Sequence, residues 1–161
     1  MTLLDKELTE IIIGCAFDVH SAMGKGFLEK VYENAMAVEL KKHGLKVQQQ
    51  SPIKVKYGGW IVGEYYADLF VENLVICELK SVENLLKSHE AQLVNYLVAT
   101  GVDIGLLINF ADRVMVRRKF REYKRPMDSE MLINRQDEQE TQERKNHGQD
   151  EQDDQDRKRK Y

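Results

Sequence analysis

The chain has 161 residues, room for one compact domain with its own core, and its net charge of −3 argues against a protein that grips nucleic acid by bulk electrostatics. It holds no apolar run of about 18 residues, so a membrane span is not expected, and the acidic, amphipathic start M-T-L-L-D-K-E-L does not read as a secretory signal. Cys15 and Cys77 each stand alone among apolar neighbours and the four histidines show no ligand spacing, which suits reduced core thiols in a cytoplasmic protein better than a disulfide or a zinc site.

Leu4, Leu8, Ile11, Ile12, Cys15 and Val19 recur at helical spacing and predict a first helix over residues 3–22, ended by Met23-Gly24-Lys25-Gly26. A second helix is expected over about 27–43, with Leu28, Val31, Tyr32, Ala35 and Val38 as its apolar stripe and Gly44 as its stop. The texture then turns β-like. Residues 45–50 and 53–57 are β-like, Gly58-Gly59 is a turn signal, and 60–71 and 74–80 read as strands. Helical periodicity returns from about Asn84 to Thr100, and Gly101 fits the stop position. Strands over 103–110 and 114–120 complete the order α-α-β-β-β-α-β-β, a mixed α/β layer structure. Arg113, Arg117, Arg118, Lys119, Arg121, Lys124 and Arg125 form a candidate basic patch near the end of this region. Beyond about Ile133 the only apolar residue is Tyr161, too little to offset chain entropy. The expectation is a domain over 1–133 and a charged, disordered tail over 134–161.

The stretch L-V-I-C-E-L-K-S, Leu74 to Ser81, is apolar until Glu78 and Lys80 appear. Residues two apart on a strand share a face, so Glu78 and Lys80 point together while Cys77 and Leu79 point the other way. The strand upstream adds Asp68, inside Y-Y-A-D-L-F-V. An unpaired buried charge costs roughly several kcal/mol, so these groups need compensation. One reading is an ion pair of Lys80 with Glu78 or Asp68. The other is a divalent cation, because two carboxylates facing one spot repel and a single lysine neutralises only one of them. For Asp68 to oppose Glu78, Phe70 must oppose Ile76 and Val71 must oppose Val75. That leaves Glu72-Asn73-Leu74 as a three-residue loop, whereas a two-residue turn would send the acids to opposite faces, so an odd loop or a bulge is expected here.

Glu29 shares a helical stripe with Tyr32, Met36 and Leu40, which predicts a position at the edge of the buried face. On the later helix His89, Gln92 and Tyr96 share a face and could orient a lysine or a phosphate. Core packing with the tyrosine hydroxyl at the rim is the plainer alternative.

Together these residues resemble the PD-(D/E)XK nuclease superfamily and, within it, the GxxExxY proteins, over roughly residues 5–125. Gly26, Glu29 and Tyr32 match the motif that names the group. Asp68 matches the superfamily aspartate, Glu78-Leu79-Lys80 the acid-x-lysine element, and Gln92 with Tyr96 the Q-x-x-x-Y of the following helix. Ala67 stands where the superfamily has a proline. The resemblance implies a restriction-endonuclease-like core and Mg²⁺- or Mn²⁺-dependent phosphodiester cleavage, with DNA as the expected partner. It implies that Asp68, Glu78, the Leu79 carbonyl and Glu29 hold the metal. Lys80 would then position water or stabilise developing charge, with Gln92 and Tyr96 steadying it and His89 a weaker substrate contact. A catalytically silent nucleic-acid-binding or accessory module and a purely structural ion-pair cluster stay open beside it.

Overall fold

The computed structural model describes residues 3–121; the expected tail over 134–161 lies outside them. Its elements are α1 (Leu3–Met23), α2 (Glu29–Lys42), β1 (Val47–Tyr57), β2 (Trp60–Val71), β3 (Val75–Lys80), α3 (Lys87–Thr100), β4 (Ile104–Phe110) and β5 (Val114–Phe120). The expected order holds, and the strands form one sheet in the order β1-β2-β3-β4-β5. Only β3 and β4 run parallel. A parallel pair needs a crossover, and α3 supplies it. No helix among the described residues is long and apolar enough to cross a membrane.

Every residue of β4 is buried, because helices cover both faces of the sheet. Cys77, Leu79, Leu106 and Ile108 pack with α1 and α2, while Ile76 and Leu107 pack with Leu93 and Leu97 of α3. Gly105 allows α3 to approach closely, since a Cβ there would meet Leu93 Cδ1 at 2.8 Å. Cys15 and Cys77 are buried free thiols. Burial pushes both up, Cys15 to about 11, which suits core residues rather than reactive ones.

Two expectations about faces change. On α2 the buried residues are Tyr32, Glu33, Met36, Ala37 and Leu40, whereas Leu28 and Val38 are exposed. The stripe is rotated because Glu33 turns inward to hydrogen bonds described below. The basic patch is also divided. Arg118 donates to Thr9 Oγ1 of α1 at 2.8 Å, and Lys119 pairs with Glu90 of α3, so alternate residues of β5 leave by opposite faces. Lys124 and Arg125 lie outside the described residues.

Tyr32 anchors the loop between α1 and α2. It is fully buried and stacked on Phe110, with ring centroids 4.4 Å apart. Its hydroxyl donates to the Gly24 carbonyl at 2.8 Å and accepts the Phe27 N–H at 3.4 Å. Gly26, at φ +100, makes a turn that other residues rarely adopt. Replacing Tyr32 with Phe keeps the stacking and removes the tie, so a loss of about 1–2 kcal/mol is expected in a denaturant titration.

Candidate active site

The β2–β3 connection has the expected register. Val71 pairs with Val75 and Phe70 with Ile76, leaving Glu72-Asn73-Leu74 as the loop, with Glu72 and Asn73 both at positive φ. The ladder then ends at Leu69↔Cys77. Asp68 takes over from the backbone, its Oδ2 accepting the Leu79 N–H at 2.7 Å. A strand residue turns its N–H and C=O to the same side, so the Leu79 carbonyl also faces β2.

Glu78 and Lys80 follow Ile76 onto the α3 face. Their side chains are 4% and 12% exposed, and Lys80 Nζ donates to Glu78 Oε1 at 2.6 Å. Glu78 Oε2 is buried and has no hydrogen-bond partner. Burial first, and the Asp68 charge second, push the Glu78 carboxyl up to about 7. Asp68 is raised as well, by burial, although the Leu79 N–H and the Lys80 charge oppose it. Burial would lower Lys80, but its hydrogen bond to Glu78 and the surrounding carboxylate charges outweigh that and raise it. One ammonium thus serves a pocket in which two carboxyls repel.

Glu29 is the first residue of α2 and is exposed, not at the edge of the buried face as the periodicity suggested. Its charge still acts on both Glu78 and Lys80. Tyr96 is buried and feels the charges of Glu78, Lys80 and Asp68. Gln92 Nε2 donates to the Tyr96 hydroxyl at 2.6 Å, so these two engage each other, while the hydrogen bond of Lys80 goes to Glu78. His89 Nδ1 accepts the Leu86 N–H at 3.2 Å and helps start α3.

A family model for the PD-(D/E)XK nuclease superfamily matches residues 6–123, nearly all of the described structure. The chain belongs to this superfamily. No curated protein matches it. Among solved structures it is similar to SSO0001, at 18% identity with a TM-score of 0.45, covering 65% of this chain and 54% of that one. It therefore spans about half the length of that protein. It is also similar to an alkaline exonuclease (LHK-Exo) from Laribacter hongkongensis, at 15% identity with a TM-score of 0.37, covering 82% of this chain and 92% of the exonuclease.

In this PD-(D/E)XK chain the acids of β2 and β3 rest on a support that sequence reasoning missed. Glu33 is 3% exposed. Its Oε1 accepts from Lys30 at 2.7 Å and from Gln49 at 3.0 Å, and its Oε2 accepts from Gln50 Nε2 at 2.8 Å. The Gln50 amide also lies 3.3 Å from Asp68 Oδ1. It reaches both because Gln50 sits at φ +51 in the middle of β1. The face presented by alternate residues changes at this point. Leu69 and Val71 pack with α1 and α2, but Ala67 packs with α3. The expected gap between the two halves of β1 was the available signal for Gln50. Spacing from the buried Ala37 and Leu40 could have found Glu33.

Asn109 of β4, opposite Lys80, was missed too. It is fully buried, donates to the Val82 carbonyl at 2.8 Å and accepts the Val82 N–H at 3.0 Å. Ser81 Oγ donates to the Phe27 carbonyl at 2.8 Å. The chain leaving Lys80 is thereby fixed to β4 and to the loop that leads into Glu29 at the start of α2. An open cleft of about 600 Å³ begins there, lined by Ser81, Asn84, Arg113 and others but not by Asp68, Glu78 or Lys80.

The donors fit a hard divalent cation: two carboxylates, a carbonyl on the same side, and one carboxylate oxygen with no partner. A separate group, Asp18, Glu39 and His43, brings three ligand atoms within 4.8 Å of one another on the surface of α1 and α2. It shares no residue with the β2–β3 site, and Glu39 already accepts from Lys42 at 2.8 Å.

Proposed function

We propose that the chain is a divalent-metal-dependent phosphodiester hydrolase acting on nucleic acid, with DNA as substrate. Asp68, Glu78 and the Leu79 carbonyl hold Mg²⁺ or Mn²⁺, and Glu29, further out, contributes through water. The observation that carries this reading is the partnerless buried Glu78 Oε2 beside Asp68, an arrangement that Lys80 alone does not satisfy. When bound, the ion supplies positive charge beside the scissile phosphate and makes neighbouring water more acidic. Asp68 is held for this by Leu79 and Gln50. Lys80 stays protonated, its ordinary charge state reinforced by Glu78, and donates to a phosphate oxygen or to the attacking water as charge develops. Gln92 fixes the Tyr96 hydroxyl, and the pair borders the phosphate rather than steadying Lys80. The GxxExxY assignment rests on Gly26, Glu29 and Tyr32, whose structural parts are the turn, the outlying carboxylate and the anchor of that loop.

The 2.6 Å Lys80–Glu78 pair also favours a second reading, a module that binds nucleic acid with Glu78 already paired. Incubation of the full chain with labelled single- and double-stranded DNA and RNA, in Mg²⁺, Mn²⁺ or excess EDTA, separates the two. Cleavage that EDTA stops and added metal restores is expected. Binding without cleavage in either metal selects the second reading.

A further inference from the structure

Beyond Asp68, β2 has only β1 beside it, because β3 pairs with β2 no further than Leu69. Residues 51–66 therefore form a two-stranded arm. Four rings on it are open to solvent, Tyr57 at 81% exposure, Trp60 at 79%, Tyr66 at 55% and Tyr65 at 49%; Tyr66 alternates with Tyr65 onto the other face, and the remaining three form a row. They share a face. Tyr57 opposes Trp60 and Ile53 opposes Tyr65, directly opposed residues face the same side, and Ile53 and Tyr57 are four apart on β1, which keeps its alternation because the register shift after Val55 places the extra residue, Val62, on β2. Ile53 is buried against α3 together with Tyr96, so this is the face on which Glu78 and Lys80 lie. Tyr65 closes the remaining gap, its ring centroid 5.7 Å from that of Tyr96. It leans back along the arm, since a Cβ on Gly63 would meet the Tyr65 ring at 3.1 Å. From Ile53 to Tyr57 the strand rises about 13 Å, enough for two or three stacked bases.

We propose that this row is a stacking platform for the unpaired bases of a single-stranded nucleic acid, leading its backbone toward Lys80. The inference rests on the reading of the Asp68–Glu78 pair as a phosphodiesterase site and adds the substrate class, a single strand or a frayed end. Aromatic faces stack on any base without reading its identity. Continuity with the site agrees with this occupant: the row ends at Tyr65 against Tyr96, and Tyr96 feels the charges of Glu78, Lys80 and Asp68. The exposed Lys54 and Lys56 alternate with Ile53 and Tyr57 and lie on the other face, Lys54 opposite Glu64.

The chain contains one tryptophan, so its fluorescence reports on Trp60 directly. In EDTA, where nothing is cut, a 15-residue oligothymidylate is expected to quench Trp60. A matched abasic deoxyribose-phosphate strand and a blunt duplex are expected to quench it far less. Tyr57→Ala and Trp60→Ala, both at exposed positions, are expected to weaken oligothymidylate binding by ~10-fold in fluorescence anisotropy without changing the circular dichroism. Equal quenching by the abasic strand, or unchanged affinity in both variants, overturns the proposal. So does a Trp60→Ala chain that merely shifts from dimer to monomer. Quenching and affinity need no turnover, so a chain that stacks single strands yet cuts nothing in Mg²⁺ upholds the platform and sinks the nuclease.

Discussion

Glu78→Gln and Asp68→Asn are each expected to lower metal-dependent cleavage by about 10²–10³-fold or more while the protein stays folded. Both exchanges keep size and shape and remove a charge. Asp68→Asn retains an oxygen able to accept the Leu79 N–H, so the strand end survives while half of the acidic pair is lost. Glu78→Gln leaves Lys80 an oxygen to donate to and supplies an NH₂ where Oε2 lacked a partner. The discriminating measurement is cleavage rate against Mn²⁺ concentration, with Mn²⁺ binding followed separately in the absence of nucleic acid. Loss of both rate and ion binding supports the shared site. Loss of rate with unchanged Mn²⁺ affinity removes these carboxylates as ligands, and the outlying Asp18, Glu39 and His43 then become the place to look. Lys80→Met should give the complementary result, slow cleavage with ion binding retained, because the ion takes over the neutralisation of Glu78.

The architecture was legible because its signals are periodic. The order of eight elements follows from hydrophobic spacing, and β5, Val114–Phe120, has the expected bounds. The loop length after β2 was legible for a stronger reason. An odd loop or a bulge is what puts Asp68 and Glu78 on one face, and the three-residue loop Glu72-Asn73-Leu74 meets that condition. What periodicity could not supply was the behaviour of polar side chains in the interior. Leu28 and Val38 look like core residues and are exposed, whereas Glu33 looks like surface and is 3% exposed. Three donors from Lys30, Gln49 and Gln50 reverse the usual preference at that position. Gln50 was hidden because it departs from strand geometry, and alternation misplaces everything beyond such a point. Asn109 was hidden in an apolar run, where one amide satisfying both backbone groups of Val82 leaves no trace in the pattern. Glu29 was placed on the right helix and the wrong side of the solvent boundary, since a first-turn residue lies past the packed part of the stripe.

The second large effect concerns pH. Glu78 moves from an ordinary value of 4.5 to about 7 on folding, through burial and the Asp68 charge. The folded state therefore holds this proton more tightly than the unfolded chain does. The contribution to stability is full below about 4.5 and is lost as pH rises through about 7. At roughly 1.4 kcal/mol per tenfold change in proton affinity, the loss is on the order of 3 kcal/mol. A Glu78→Gln chain has no such proton to lose. In EDTA its stability and that of the wild type should coincide near pH 4.5 and diverge toward pH 8, with the variant the more stable. Mg²⁺ reverses the order. A cation competes with the proton, so its apparent affinity should fall about tenfold per pH unit below 7 and level off above it. Saturating Mg²⁺ should then raise the wild-type melting temperature most at pH 8 and leave the variant unmoved. The alternative, a structural ion pair already satisfied by Lys80, requires no response to Mg²⁺ from either protein at any pH from 4.5 to 8. Thermal melts at four pH values, with and without the ion, decide between them, because the burial that makes a proton hard to remove from Glu78 is the same burial that leaves its second oxygen open to a cation.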